Sequence, residues 1–154
     1  MKAPFGMAIL ALALSAAGGQ SQRTSPMSHR AAGTFEVKVA PLAAYNQDDR
    51  SLGRFSIDKQ FHGGLEATSK GEMLSAGSPA SSGGYVAIEK VTGKLDGRSG
   101  SFALQHDATM EQGMPHLHIV VVPGSGSGEL AGLAGTMSVT IEGGKHSYVF
   151  EYTL

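Results

Sequence analysis

The sequence predicts an all-β protein: a single closed eight-stranded antiparallel β-barrel, preceded by a cleavable N-terminal signal helix. Three observations predict it. From Gly33 onward the apolar residues fall into about eight short runs of period two, with no long stretch of helical period. Glycine-rich turns cut those runs, and the 22 glycines are about twice the average share, without the regular spacing of collagen. Upstream lies a short segment that is basic, then apolar, then small-residued, the pattern of an export signal.

A chain of 154 residues holds one core, not two. Twelve basic and thirteen acidic residues leave a net charge of -1 with no block of like charge, so no basic footprint for nucleic acid is present. The absence of cysteine excludes disulfides, thiolate metal sites, a thiol nucleophile and a lipid-modified N-terminal cysteine.

Taken in order, Lys2 supplies a minimal positive region, and Met7 to Leu14 is an apolar stretch of signal-core length, too short to span a bilayer. Ser15, Ala17 and Gly19 offer small residues for cleavage between Ala17 and Gln20. The expected division is therefore a signal peptide over 1–19, a flexible leader over 20–32 and the barrel over 33–154. With no second long apolar run, the mature protein is expected to be secreted or periplasmic, with no membrane association.

The first run, Thr34 to Val39, alternates Phe35, Val37 and Val39 with polar residues, and Ala40-Pro41 ends it because proline cannot donate to a ladder. In Arg54 to Phe61, the residues Phe55, Ile57 and Phe61 share a face with Lys59, and His62-Gly63-Gly64 reads as a turn. Leu65 to Leu74 follows with polar groups on both faces, Ser69 on one and Glu66 among those on the other. After the loop at Ala76 to Gly84, the runs Tyr85 to Leu95 and Ser101 to Thr109 flank Asp96-Gly97, a dipeptide suited to a tight hairpin because both positions tolerate positive φ. His116 to Val122, Thr136 to Ile141 and His146 to Leu154 complete the set. Closure into a barrel, rather than a sandwich, removes exposed edges in a chain with few edge-protecting prolines. Tyr85 to Val91 and Leu117 to Val122 are apolar on both faces, and since a barrel interior absorbs only one, some homo-oligomerisation is expected.

From about Ala32 to Leu154 the chain resembles the bacterial family known as domain of unknown function 3224. The resemblance is carried by Gly33-Thr34-Phe35-Glu36-Val37, by Asp58-Lys59-Gln60-Phe61-His62-Gly63 and Leu65 to Gly71, by Gly84-Tyr85-Val86-Ala87-Ile88-Glu89, and by Gly97-Arg98-Ser99-Gly100-Ser101-Phe102. Gly128 to Met137 also resembles a glycine-rich turn of allene oxide cyclase-like barrels. The resemblance implies an eight-stranded barrel related to ring-forming cyclases and to dirigent-type proteins that steer reactive intermediates. It implies no established activity, and His116-Leu117-His118 departs from the ordinary strand residues the family carries there.

No phosphate loop, nucleophile elbow, zinc-protease helix or dinucleotide fingerprint is present, so no catalytic residue is assigned and no cofactor is expected. His116 and His118 share a strand face, but two imidazoles are too few for a metal, and nothing in the spacing selects His106, Glu89 or Glu151 as a third ligand. Asp58, Glu66 and Glu89 could do acid/base work only if buried beside a ligand; otherwise they are solvated carboxylates. Tyr85, Tyr148 and Tyr152, with Glu66 and His118, are candidate lining residues of a pocket, against the simpler reading of core packing or surface.

The sharpest candidate is the polar pair Glu89 and His106, on the inward apolar face of one hairpin. With a two-residue loop at Asp96-Gly97, Glu89 opposes Leu104 and His106 lies diagonal to it; with the loop at Gly97-Arg98 the two are directly opposite. A carboxylate and an imidazole among Val91, Phe102 and Leu104 are costly unless paired. Such a pair either fixes the register or moves a proton and orients a ligand.

Two functions follow. One is a barrel enclosing a small apolar ligand, with cyclase- or isomerase-like steering implied only through the resemblance. The other is a non-enzymatic structural or interaction protein with a packed interior. A one-ended interior cavity of roughly 300 Å³ or more, apolar with a few convergent polar groups, favours the first.

Overall fold

The computed structural model describes residues 27–45, 51–77 and 82–154. The expected signal peptide and residues 20–26 of the expected leader lie outside these residues. The strands are β1 (Ser28–Pro41), β2 (Leu52–Gly63), β3 (Leu65–Gly77), β4 (Gly83–Leu95), β5 (Arg98–Glu111), β6 (Met114–Val121), β7 (Ser127–Gly128), β8 (Ala134–Glu142) and β9 (Lys145–Thr153).

Their order around the sheet is β4-β3-β2-β1-β9-β8-β6-β5, and pairing of β4 with β5 closes the ring. All pairings are antiparallel. The two-residue β7 lies beside Gly100 and Ser101 of β5 and is an addition to the eight barrel strands. No helix among the described residues is long and apolar enough to cross a membrane.

Each expected run coincides with an observed strand; most of the strands extend further at one or both ends, whereas β6 and β9 stop one residue before the expected Val122 and Leu154. β1 begins at Ser28, upstream of the expected barrel boundary at Gly33, because Ser28 to Ala32 pair with Val149 to Thr153 of β9. β2 continues through His62 and Gly63, both expected in the turn, because they pair with Thr34 and Gly33 of β1. Ladder hydrogen bonds, available only once the partner strand is in place, override the local polarity of these residues.

Two hairpins set the register of the functional region. Leu95 pairs with Arg98, so the loop is the two residues Asp96-Gly97, at φ 46° and 83°. Glu111 pairs with Met114 around Gln112-Gly113, at φ 49° and 81°. Positive φ at both loop positions is the geometry whose twist matches that of paired strands.

The interior has two unlike halves. At one end Phe61, Phe102, Phe150 and Tyr148 are sealed, with Phe102 and Phe150 stacked at 5.7 Å and Phe61 edge-on to Tyr148 at 5.7 Å. Leu130 and Leu133, from the connection before β8, are buried in this same core cluster. At the other end the inward side chains are smaller or incompletely covered: Val39, Leu117 and Ile141 are 48%, 42% and 63% exposed although each lies on the inward parity of its strand. The wall is also weakest here, since β6 and β8 share the single pair Val120–Thr136 and are not paired toward the open end.

Candidate functional site

The inward positions of adjacent strands bring four polar side chains to one level, where the packed half gives way to the open half. Val91, Leu95 and Glu89 alternate inward on β4, and Phe102, Leu104 and His106 do so on β5. Glu89 opposes Leu104 and His106 opposes Ala87, so Glu89 and His106 are diagonal neighbours. From the other side β3 contributes Ser69, and β2 contributes Lys59, two residues before the buried Phe61.

Glu89, wholly buried, is the hub. Its Oε1 lies 2.9 Å from Lys59 Nζ and 2.9 Å from His106 Nε2, while Ser69 Oγ donates to Oε2 at 2.7 Å. Lys59 Nζ also sits 5.0 Å from the centroid of the Phe35 ring and 5.7 Å from that of Phe61. Burial pushes the Glu89 carboxyl up, but the His106 hydrogen bond and the charge and hydrogen bond of Lys59 together outweigh it and hold its pKa at about 2. An ion pair this deep persists only with both carboxylate oxygens hydrogen-bonded, and no buried side-chain polar atom among the described residues lacks a partner.

Room for the hub comes from Gly71, which pairs with Glu89 across β3 and β4. A side chain there would meet the Glu89 Cβ at 2.6 Å and its Cα at 2.7 Å.

Above this layer is a cavity of about 150 Å³ lined by apolar residues including Phe35, Val37, Ile57, Leu117 and Val139, with Lys59, Tyr85, His106 and His146 as its polar groups. It is about half the size that would have favoured ligand enclosure on volume alone. It nevertheless matches the volume at which a dry apolar cavity is known to take up a benzene-sized molecule. A wider concavity of about 600 Å³ lies on the outer wall over the Ala87–His106 strand pair. Its rim residues Tyr45, Leu74, Val86 and Ile88 are exposed, so it is a surface depression rather than an enclosure.

Of the candidate lining residues, with Glu89 buried behind His106, only Tyr85 joins His106 at the cavity. Its hydroxyl pKa is raised by burial first and then by the nearby charges of Glu89 and Asp107. Tyr148 and Tyr152 point inward but belong to the sealed half. The Tyr148 hydroxyl accepts from the Leu65 amide at 2.9 Å and donates to the His62 carbonyl at 3.2 Å. Tyr152 donates to Asp96 Oδ2 at 2.6 Å, bracing the hairpin turn, and its pKa rises to about 12 through burial and the Asp96 carboxylate.

Glu66 and His118 do not line the interior. Both occupy the outward parity of their strands: Glu66 accepts from the Gly63 amide at 2.6 Å, and His118 pairs with Asp107 at 3.1 Å. His116 is outward as well, and no group of three or more metal-binding side chains occurs among the described residues. Lys59 and Ser69 are the members of the cluster that sequence reasoning did not single out. The signal was a lysine inside the apolar alternation Phe55, Ile57, Phe61, which only burial could distinguish from an exposed lysine beside aromatic residues.

No curated protein is significantly similar to the chain. A crystal structure of a protein with unknown function from the DUF3224 family, from Shewanella oneidensis MR-1, is similar at 50% identity, with a TM-score of 0.78. The match covers 83% of this chain and 98% of that one. The family model described as "Protein of unknown function (DUF3224)" matches residues 31–152, a span that takes in the closed barrel and every member of the Lys59–Glu89–His106 cluster, and the chain therefore belongs to the DUF3224 family.

Proposed function

We propose that this protein is an exported binding barrel that holds one small, largely apolar ligand in the open half of its interior. The observation that carries this reading is the division of the barrel. One half is closed by packed aromatic side chains, whereas the other keeps an apolar cup of about 150 Å³ over a fixed polar floor. A barrel needing only stability would gain by filling that half, since each buried Leu- or Phe-sized side chain contributes about 1.5–3 kcal/mol. Access is from the open end and along the unpaired stretch between β6 and β8, where Leu117, Val139 and Ile141 meet the cup. The alternative, a structural or interaction protein with a packed interior, has the sealed half in its favour and leaves the cup without a role.

Native mass spectrometry of protein purified from its host tests the proposal. A retained small molecule, displaced on adding toluene, supports it. An empty barrel that neither binds toluene nor is stabilised by it overturns it.

A further inference from the structure

Tyr85, Tyr148 and Tyr152 all take inward positions in the barrel, and only two of the three hydroxyls are used by the fold. Tyr148 accepts from the Leu65 amide at 2.9 Å and donates to the His62 carbonyl at 3.2 Å, and Tyr152 donates to Asp96 at 2.6 Å. The Tyr85 hydroxyl makes no hydrogen bond to the described residues. No side-chain polar atom sealed from solvent lacks a partner among those residues, so this hydroxyl is reachable, and the hollow that Tyr85 lines is the cup.

The position favours the ring's lying at the cup. Tyr85 and Glu89 share the inward face of β4 with the small Ala87 between them, and the cross-strand partners of Tyr85 are the small Ser75 and Ala108. After burial, the influence that most raises the hydroxyl pKa is the charge of the wholly buried Glu89, ahead of that of the outward Asp107. A phenol so placed stays protonated at neutral pH, a donor as well as an acceptor. Phenylalanine would give the same shape without a hydroxyl that loses its water when the cup fills. Of the other polar groups at the cup, Lys59 and His106 are each held by Glu89 at 2.9 Å, and His146 packs on the Phe35 ring at 5.0 Å.

We propose that Tyr85 is the specificity-determining residue of the cup, its hydroxyl bonding one oxygen, of a hydroxyl or a carbonyl group, carried by an otherwise apolar ligand. This rests on the binding reading above and narrows it from apolar molecules in general to those with one such oxygen. The Tyr85 hydroxyl carries no charge to balance an ion, so the oxygen it suits is an uncharged one. The cavity volume restricts the body to about the size of one benzene ring.

Phenol and toluene have nearly the same shape and differ in that oxygen, so the ratio of their affinities isolates its contribution. Calorimetry of each, on the mature protein and on Tyr85→Phe, is the test. The preference for phenol relative to toluene should fall about fivefold in Tyr85→Phe, the weight of one neutral hydrogen bond, with toluene affinity itself unchanged. Urea unfolding supplies the readout that a structural role would move. Tyr85→Phe should unfold at the wild-type midpoint, whereas Tyr148→Phe and Tyr152→Phe, which take partners from the Leu65 amide and the Asp96 carboxylate, should unfold earlier. A phenol-to-toluene ratio unchanged in Tyr85→Phe, as it would be if His146 took the oxygen, overturns the assignment while leaving the cup intact. A lowered midpoint for Tyr85→Phe overturns it as well, since the hydroxyl would then have its partner within the fold. Failure of both phenol and toluene to bind the wild type overturns the cup and this inference together.

Discussion

Gly71 faces Glu89 directly across β3 and β4, and the absence of a side chain at 71 is what admits the carboxylate to the barrel interior. Gly71→Ala should therefore act through Glu89. The added methyl meets the Cα and Cβ of Glu89 as well as the Ile88 carbonyl, and backbone cannot swing aside as a side-chain tip can. Denaturant unfolding should show a loss of about 1–3 kcal/mol or more, as for overpacked cores. Gly97→Ala makes the contrast: nothing lies within 4 Å, and only the φ of 83° opposes it, at about 1–2 kcal/mol.

Stability should fall in acid through Glu89. Its folded pKa, about 2, lies below the ordinary 4.5, so the native state holds the proton less well than the unfolded chain. The resulting stabilisation is complete above pH 4.5 and is lost progressively as the pH falls from there toward 2. By linkage it amounts to about 3 kcal/mol. Urea midpoints measured across this range should show the loss in the wild type, and Glu89→Gln should flatten it. At neutral pH the same substitution should destabilise by about 3–5 kcal/mol, because it strands the Lys59 ammonium.

Phe102 and Phe150 are stacked and sealed in the closed half, and Phe35 and Ile57 are buried nearer the cup. Truncating Phe102 or Phe150 to Ala should cost about 3–5 kcal/mol. A double-mutant cycle on the stacked pair should return about 0.5–1.5 kcal/mol of coupling. A near-neutral single substitution would contradict the packing described.

Cleavage of an export signal between Ala17 and Gln20 is expected to set the N-terminus of the mature protein. That expectation rests on Lys2, the apolar stretch Met7 to Leu14 and the small residues that follow. Terminal sequencing of protein recovered outside the cytoplasm checks it, and finding Met1 there refutes it.

Leu74, Val86 and Ile88 are about half exposed on the outward faces of β3 and β4, where Leu74 and Val86 are cross-strand partners. Light scattering over a wide concentration range should show self-association, and Val86→Lys should weaken it. A strict monomer throughout would refute this expectation.

The sequence by itself determined the strands, their alternation and the hairpin. Phe35, Ile57 and Phe102 lie in period-two runs, and a two-residue loop at Asp96-Gly97 or at Gly97-Arg98 puts Glu89 and His106 on one face in either case, the observed register making them diagonal neighbours. These are local properties, readable because a strand's side-chain period and a turn's φ requirement act over a few residues. What only the tertiary structure decided was which polar residues share a level of the closed barrel. Lys59 and Ser69 stand 30 and 20 residues from Glu89, and their meeting depends on the registers of β2 with β3 and of β3 with β4. The outward turn of Glu66 and His118, the burial of Tyr148 and Tyr152 in the sealed half, and the unfilled cup were likewise fixed by closure. A barrel's two faces and two ends are properties of the ring as a whole, and alternation along one strand is symmetric with respect to both.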